Sequence, residues 1–398
     1  MPTVQRILYS FPTRLGGPGI GTTAWHQVAG LAERGRDVTV ICGSLERPLP
    51  AGVAVHETMR LPRGPKVPYR VVGKDRALTW HDRRATKLLN DAGSEAFDVV
   101  HTWPLGAART LEAARAIGTP SALERPNAHT AFAFAAVAEV VAQLGIGHDA
   151  SSPHAYDAAR LAREEREYAL ADGLLCPSEF VAGTFAERGF APEVLLRHRY
   201  GYDPERFSAA GRDDAGGRPF TVLFAGRGEP RKGLHVALEA WHGAGAGSAG
   251  GRFVIAGPID APYLEVLAPL LDDPSVEHLG PTGAMADVMR AADVLVLPSV
   301  EEGSALVTYE ARATGCVLAV SDHAGAVAEH EVDALIHPAG SVTTLTEHLR
   351  ALQSDPALLA RLRTASLAGA EALTWAGAAE ALEGCYGALS DAQLACTA

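Results

Sequence analysis

The sequence predicts an α/β protein made of two Rossmann-like, doubly wound parallel-sheet domains. Three observations predict it. Apolar runs of strand length alternate with helical segments from RILYSF at Arg6 to CVLAVSD at Cys316, as repeated strand-helix-strand units require. The alternation breaks once, at FSAAGRDDAGGRP from Phe207 to Pro219, whose composition is that of a linker, and then starts afresh. At 398 residues the chain is also long for a single hydrophobic core. The reading places an N-terminal domain at 1–206 and a second at 207–375.

In order, RILYSF (Arg6 to Phe11) is a buried strand, a glycine-rich loop follows, a helix runs from about Thr22 to Arg34, and DVTVICG (Asp37 to Gly43) is the next strand. The loop, LGGPGIGTT, mimics two nucleotide-binding motifs and satisfies neither. Gly16 and Gly21 have P-loop spacing, but Thr22 stands where the phosphate-binding lysine is needed. Gly19, Gly21 and Ala24 mimic a dinucleotide fingerprint, but the second strand ends in Cys42-Gly43-Ser44 with no acid for a ribose. The loop is read as close-approach backbone at the carboxyl edge of a sheet.

FDVVHTW (Phe97 to Trp103) is a further strand, followed by a helix ending near Gly118, the segment SALERPNAHT, and helices to Asp172. GLLCPSEF (Gly173 to Phe180) is a strand turning into a helix, and 188–207 holds the last strand of the first domain. In the second domain the strands are FTVLFAG at Phe220, RFVIAG at Arg252, VEHLG at Val276, DVLVLPS at Asp293 and CVLAVSD at Cys316, with helices from there to the end. GAGAGSAGG, Gly243 to Gly251, is predicted to be a mobile surface turn.

Composition excludes several classes. A content of 47% hydrophobic and 21% charged residues describes an ordinary globular protein. No apolar run approaches 18 residues, and MPTVQRILYSFP lacks a signal-peptide pattern, so the expected location is the cytoplasm, with peripheral contact at the inner membrane face left open. Five scattered cysteines without paired spacing argue against a disulfide framework or a zinc site. The net charge of −12 is uneven: residues 1–200 carry 23 Lys/Arg against 21 Asp/Glu, and residues 201–398 carry 12 against 26. Arg60 to Lys87 is basic (Arg60, Arg63, Lys66, Arg70, Lys74, Arg76, Arg83, Arg84, Lys87), with Tyr69 and Trp80 interleaved. That segment is either a contact for an anionic acceptor or membrane surface or a solvated helix face. Nucleic acid is a poor partner for so acidic a chain.

The chemistry concentrates in PSVEEGSALVTYEARATG, Pro298 to Gly315. A buried strand stops at Pro298. Glu302 follows, then Gly303, Ser304 and Ala305, then a helix bearing Glu310. The two acids lie eight residues apart, about 12 Å within one helix. They are too far apart for one small site but suit the two ends of an elongated ligand, with helix N–H groups between them for an anion. A nucleotide sugar has that layout. The alternative is a loop acid at Glu302 and a solvated helix residue at Glu310, and spacing alone does not decide.

Taken together, GGPGI at Gly16, FDVVHTW at Phe97, the His129 segment, CPSEF at Cys176, RYGYDPERF at Arg199, FAGRGEPRKG at Phe224, FVIAG at Phe253, MRAADVLVLPSVEEG at Met289 and YEARATGCVLAVSD at Tyr309 resemble the retaining nucleotide-sugar glycosyltransferases of family 4, with the GT-B fold. The resemblance implies two lobes facing a cleft, with about 376–398 folding back on the first domain. It implies a uridine or guanosine diphosphate sugar as donor, a hydroxyl acceptor, no cofactor and no metal. Arg227 and Lys232 match the basic pair on the diphosphate, Glu310 the residue at the ribose, and Glu302 the one facing the donor sugar. Leu306 and Val307 offer N–H groups to the phosphates, Gly17 a loop backbone near them, and His129 a side chain at the reaction centre. The family usually reads Glu-Gly-Phe-Gly where this chain has Glu302-Gly303-Ser304-Ala305. A sugar-nucleotide 2-epimerase, or a partner that binds a sugar nucleotide without turnover, remains open at this point.

Overall fold

A computed structural model describes all residues except 1–3, 61–66, 68, 148–151, 153, 214–216 and 398, with the side chains of 69, 70 and 392–397 also outside the description. Arg63, Lys66 and the side chain of Arg70, called as part of the basic segment, therefore lie outside the described residues.

In chain order the elements begin with β1 (Arg6–Leu15), α1 (Ile20–Glu33), β2 (Asp37–Leu45), β3 (Ala54–Glu57), α2 (Tyr69–Val72) and α3 (Lys74–Ala92). Next come β4 (Val99–Thr102), α4 (Ala108–Ile117), β5 (Ser121–Glu124), α5 (Thr130–Gln143), α6 (Ala158–Leu170), β6 (Gly173–Cys176), α7 (Glu179–Ala186) and β7 (Leu195–Arg197). The second series is β8 (Thr221–Ala225), α8 (Leu234–Ala244), β9 (Arg252–Ala256), α9 (Ala261–Leu271), β10 (Val276–Gly280), α10 (Met285–Ala291) and β11 (Val294–Leu297). It closes with α11 (Leu306–Ala313), β12 (Val317–Ser321), β13 (Ala334–His337), α12 (Val342–Ser354), α13 (Pro356–Ala370) and α14 (Trp375–Thr397).

Two compact units result: Met1–Pro126 with Asp157–Tyr200 and Trp375–Ala398, and Asn127–Tyr156 with Gly201–Thr374. The first holds a seven-stranded sheet in the order β3-β2-β1-β4-β5-β6-β7, the second a six-stranded sheet in the order β10-β9-β8-β11-β12-β13. All pairings in both are parallel. Each sheet is wound outward in both directions from its first strand. The loops after β1 and β8 therefore stand at topological switch points, where open α/β sheets bind ligands beyond the strand carboxyl ends.

Several short elements escape a reading by apolar runs. β5 is Ser-Ala-Leu-Glu, composed partly of helix formers, yet it is buried throughout. β3 is an edge strand with alternating exposure, and β13 interrupts the region read as helical to the end. β1 continues past Phe11 to Leu15, re-pairing with β2 after a register shift between Phe11 and Arg14. The turn at Gly243–Gly251 is on the surface but anchored: Ala246 is fully buried and its carbonyl accepts from Gln353 Nε2 at 3.1 Å. A Cβ on Gly251 would lie 2.8 Å from the Trp241 ring, so the glycines serve close approach here.

The core of the first unit includes a polar network. Glu124, with no solvent exposure, accepts from His198 Nε2 at 2.8 Å, the Tyr200 hydroxyl at 3.0 Å and Gln27 Nε2 at 3.0 Å. His101 Nε2 stands 3.5 Å from the same carboxylate, while its Nδ1 shares a 2.7 Å hydrogen bond with the Tyr386 hydroxyl of α14. Burial pushes His101 down to about 3, so it is neutral. His101 thereby ties α14 to the sheet.

Candidate functional site

The site residues of the second unit gather at the carboxyl edge of its sheet because two glycines allow loops to touch there. Gly233 adopts φ +70, and a Cβ on it would lie 2.2 Å from the Pro298 carbonyl oxygen. Gly325 adopts φ +61, and a Cβ there would lie 2.3 Å from the Gly303 carbonyl oxygen. Only glycine fits either position. The loop after β8 is thus pressed against the end of β11, and the Glu302-Gly303 segment against the loop after β12.

A 3-10 turn, Pro230–Lys232, sets two cations among three carboxylates, Glu229, Glu301 and Glu302. Lys232 Nζ lies 2.6 Å from Glu302 Oε1, and Arg231 Nη2 lies 3.2 Å from the same oxygen. Arg231 also donates from Nη2 to Glu229 Oε1 at 2.9 Å and from Nη1 to the Glu301 carbonyl at 2.6 Å, with Glu301 Oε2 at 3.4 Å. Burial by itself raises the Glu302 carboxyl, but Arg231 and Lys232 outweigh it and hold it at about 2. Burial raises Glu301 above the usual carboxylate range. Burial disfavours the charge on Arg231, yet its three glutamates keep it firmly protonated. The cluster is charged and buried at once, as a site that must grip an anion or a hydroxylated ring without reorganising would be.

Glu310 has the opposite environment. On α11, burial pushes its carboxyl up to about 7 against the pull of Arg206. Between the two acids, Ser304 turns its hydroxyl to Tyr309 at 2.6 Å, and Ala305 is the buried N-cap of α11. Ala305 supplies no side-chain cap, and the first turn, with Leu306 and Val307, holds no acid. That helix start is electropositive.

His129 packs with the second unit, because residues 127–156 cluster there although β5 just before them belongs to the first. The Ala128 N–H donates to Glu301 Oε1 at 3.0 Å, and Asn127 Nδ2 at 3.4 Å. His129, buried, is the N-cap of α5, its Nδ1 accepting from the Ala131 N–H at 3.2 Å. Glu301 thus ties the His129 segment to the Glu302 loop.

Arg227 goes elsewhere. Its exposed guanidinium bonds Asp260 Oδ1 at 2.7 Å, a different carboxylate from the one that holds Lys232. Gly17 is in the other unit, in the loop after β1, where its N–H donates to the Arg14 carbonyl at 3.2 Å and its carbonyl accepts from Thr22 Oγ1 at 2.9 Å. Arg231 and Glu301 were missed by spacing. The signal for them is the doublets Arg231-Lys232 and Glu301-Glu302, whose first members add contacts to Glu229 and to the Asn127-Ala128 segment.

In the basic stretch Arg60 pairs with Glu57, and the remaining described charge is on α3. Arg76, Trp80, Arg83, Arg84 and Lys87 follow helical spacing and are all exposed. Trp80 is anchored by Nε1 to the Thr58 carbonyl at 3.1 Å. No helix among the described residues is long and apolar enough to cross a membrane. Among the described residues, no group of three or more His, Cys, Asp or Glu is placed to hold a metal ion.

Two parallel α/β units, with a cation-bearing loop after β8 and acids around α11, define the GT-B class of fold. The family described as Glycosyltransferase Family 4 matches residues 18–206, and that described as Glycosyl transferases group 1 matches 219–355. The chain thus carries a Glycosyltransferase Family 4 domain followed by a Glycosyl transferases group 1 domain. It is 30% identical over 271 residues to D-inositol 3-phosphate glycosyltransferase 1 of Catenulispora acidiphila, covering 60% of this chain and 62% of that protein. It is 31% identical over 255 residues to D-inositol 3-phosphate glycosyltransferase of Streptomyces bingchenggensis, covering 58% of this chain and 55% of the other. The chain thus spans less than two thirds of the length of these curated relatives. Among solved structures, Anabaena Alr3699/HepE in complex with UDP superposes with a TM-score of 0.65 at 15% identity, over 95% of this chain and 98% of that one. Sucrose-phosphate synthase from Thermosynechococcus elongatus superposes with a TM-score of 0.68 at 18% identity, over 98% of this chain and 100% of the other. These likenesses establish the fold.

Proposed function

We propose that the protein is a retaining glycosyltransferase that moves a sugar from a nucleoside diphosphate to an acceptor hydroxyl, without a metal. The observation that carries this is the buried Lys232–Glu302 pair, 2.6 Å apart, next to the electropositive start of α11. Lys232 and Arg227 meet the diphosphate, with the Leu306 and Val307 N–H groups as further donors. Negative charge grows on the departing diphosphate in the transition state, and fixed cations stabilise it there. Glu302, with Gly303, Ser304 and Ala305, faces the donor sugar, and Glu310 accepts from the ribose hydroxyls. His129, whose Nδ1 accepts a backbone N–H and whose proton therefore sits on Nε2, donates near the reacting centre.

No side chain is assigned as base. The leaving phosphate oxygen takes the acceptor proton on the face from which it departs, which retains the anomeric configuration. HepE has been solved with UDP and with UDP-glucose, which supports a uridine donor as the first to try, with guanosine as the alternative. The exposed basic face of α3 supports a peripheral contact with an anionic membrane on the cytoplasmic side.

Titration with UDP and GDP, followed by turnover of a donor panel with and without chelator, tests the reading. Micromolar binding of one nucleotide and chelator-insensitive transfer with retained configuration are expected. Interconversion of the donor without any acceptor would instead mark an epimerase, and binding without turnover a non-catalytic partner.

A further inference from the structure

The second unit contains a pocket of about 650 Å³ that shares only Arg227 with the donor contacts. One wall is the α5 face presented by Val137, Ala138 and Val141. Tyr263 stands among the other lining residues, and Arg227 and Asp260 lie at its polar end. The Tyr263 hydroxyl is already engaged by the His235 N–H at 2.8 Å and His235 Nδ1 at 2.7 Å, so its remaining contribution is the ring. The volume is that of a small-molecule site.

Its chemistry selects among acceptors. The lining is mostly apolar, with Ser152, His154 and Tyr156 as further polar residues beside Arg227 and Asp260, and saccharide hydroxyls laid against the Val137, Ala138 and Val141 face would go without partners, at about 1–3 kcal/mol each. A polyol phosphate would meet Arg227 and Asp260, the only fully charged side chains among the described lining residues, and these already neutralise each other across 2.7 Å. A neutral hydroxyl fits that pair, since Asp260 accepts from it and Arg227 donates to it. An apolar body fits the α5 face.

We infer that this pocket holds the acceptor, and that the acceptor is an uncharged apolar molecule ending in a hydroxyl, either a lipid alcohol or an aromatic scaffold. The inference rests on the donor reading above, because Arg227 is common to both: the pocket's polar end is the side chain assigned to the diphosphate.

The test uses the full chain and three probes: farnesol, 4-methylumbelliferone and myo-inositol 1-phosphate. Equilibrium binding is measured for the parent, for Ala138→Trp, which fills the pocket from an exposed helix position, and for Asp260→Asn. Binding of one of the two apolar alcohols, weakened tenfold or more in Ala138→Trp with an unchanged melting curve and severalfold in Asp260→Asn, is expected. Farnesol binding identifies the lipid source and 4-methylumbelliferone the aromatic one. The inference is overturned if neither alcohol binds up to its solubility limit, if Ala138→Trp binds as the parent does, or if only myo-inositol 1-phosphate binds. Titration of the parent with UDP and GDP is scored separately, so failure of the donor reading shows there and not in the alcohol data.

Discussion

Lys232 Nζ and Glu302 Oε1 are 2.6 Å apart in a part of the second unit where the lysine side chain is 17% exposed and the glutamate 12%. A cation held this way is not a solvated loop residue, and the carboxylate that holds it is shared with Arg231. Lys232→Ala should lower transfer by about 10²- to 10³-fold, the range for losing one donor to developing negative charge. Because Arg231 still pairs with Glu302, the fold should survive. Initial rates beside a melting curve separate the two effects.

Glu302→Gln probes the same pair from the other side. With a carboxyl held at about 2 against an ordinary 4.5, Glu302 contributes stability that is complete above pH 4.5 and disappears as pH falls through 2. The shift corresponds to on the order of 3 kcal/mol. The variant should therefore unfold more easily than the parent by a margin that stays constant between about pH 5 and 8, read by denaturant titration.

Glu310 has the reverse sign. Its carboxyl, raised to about 7, keeps a proton in the folded chain that the unfolded chain releases from 4.5. Its contribution to stability is full below pH 4.5 and is lost as pH rises through 7. Glu310→Gln should match the parent in acid and exceed it in melting temperature above pH 7. Nucleotide affinity of the parent should rise across that same interval, as the carboxylate that accepts ribose hydroxyls forms, and should not do so in the variant.

Gly233→Ala forces a Cβ to within 2.2 Å of the Pro298 carbonyl oxygen at a positive φ. A loss of more than about 2 kcal/mol is expected. Because Arg231 and Lys232 immediately precede this glycine, nucleotide binding should fall with it, measured by calorimetry below the variant's melting temperature.

In the first unit, Glu124→Ala strands His198, Tyr200 and Gln27 without their acceptor in a region with no solvent exposure. A cost of about 3 kcal/mol or more is expected. Tyr386→Phe, which removes only the link from α14 to His101, should cost about 1 kcal/mol. Chemical denaturation of the two variants checks the ranking.

Much of this was legible in the chain. Buried parallel strands such as Val294–Leu297 and Val317–Ser321 are continuous apolar runs, because both faces are covered, and such runs are conspicuous in sequence. β5 and β13, four residues each, lack that length, and β5 carries a glutamate that only its hydrogen-bond partners make tolerable. The acids Glu302 and Glu310 and the cation Lys232 were named from spacing and motif.

Sequence alone determined the doubly wound architecture, since alternating strand and helix periods are local properties of the chain, and it determined which loops carry charge. Tertiary structure decided what that charge does. Arg231 and Lys232, about 70 positions away in sequence, hold Glu302 near 2 against its burial, while burial sets Glu310 near 7, two identical side chains eight positions apart. It also decided that Arg227 pairs with Asp260 while Lys232 pairs with Glu302, and that residues 127–156 join the second unit. These outcomes depend on which atoms meet across the folded chain and on how much water is excluded there.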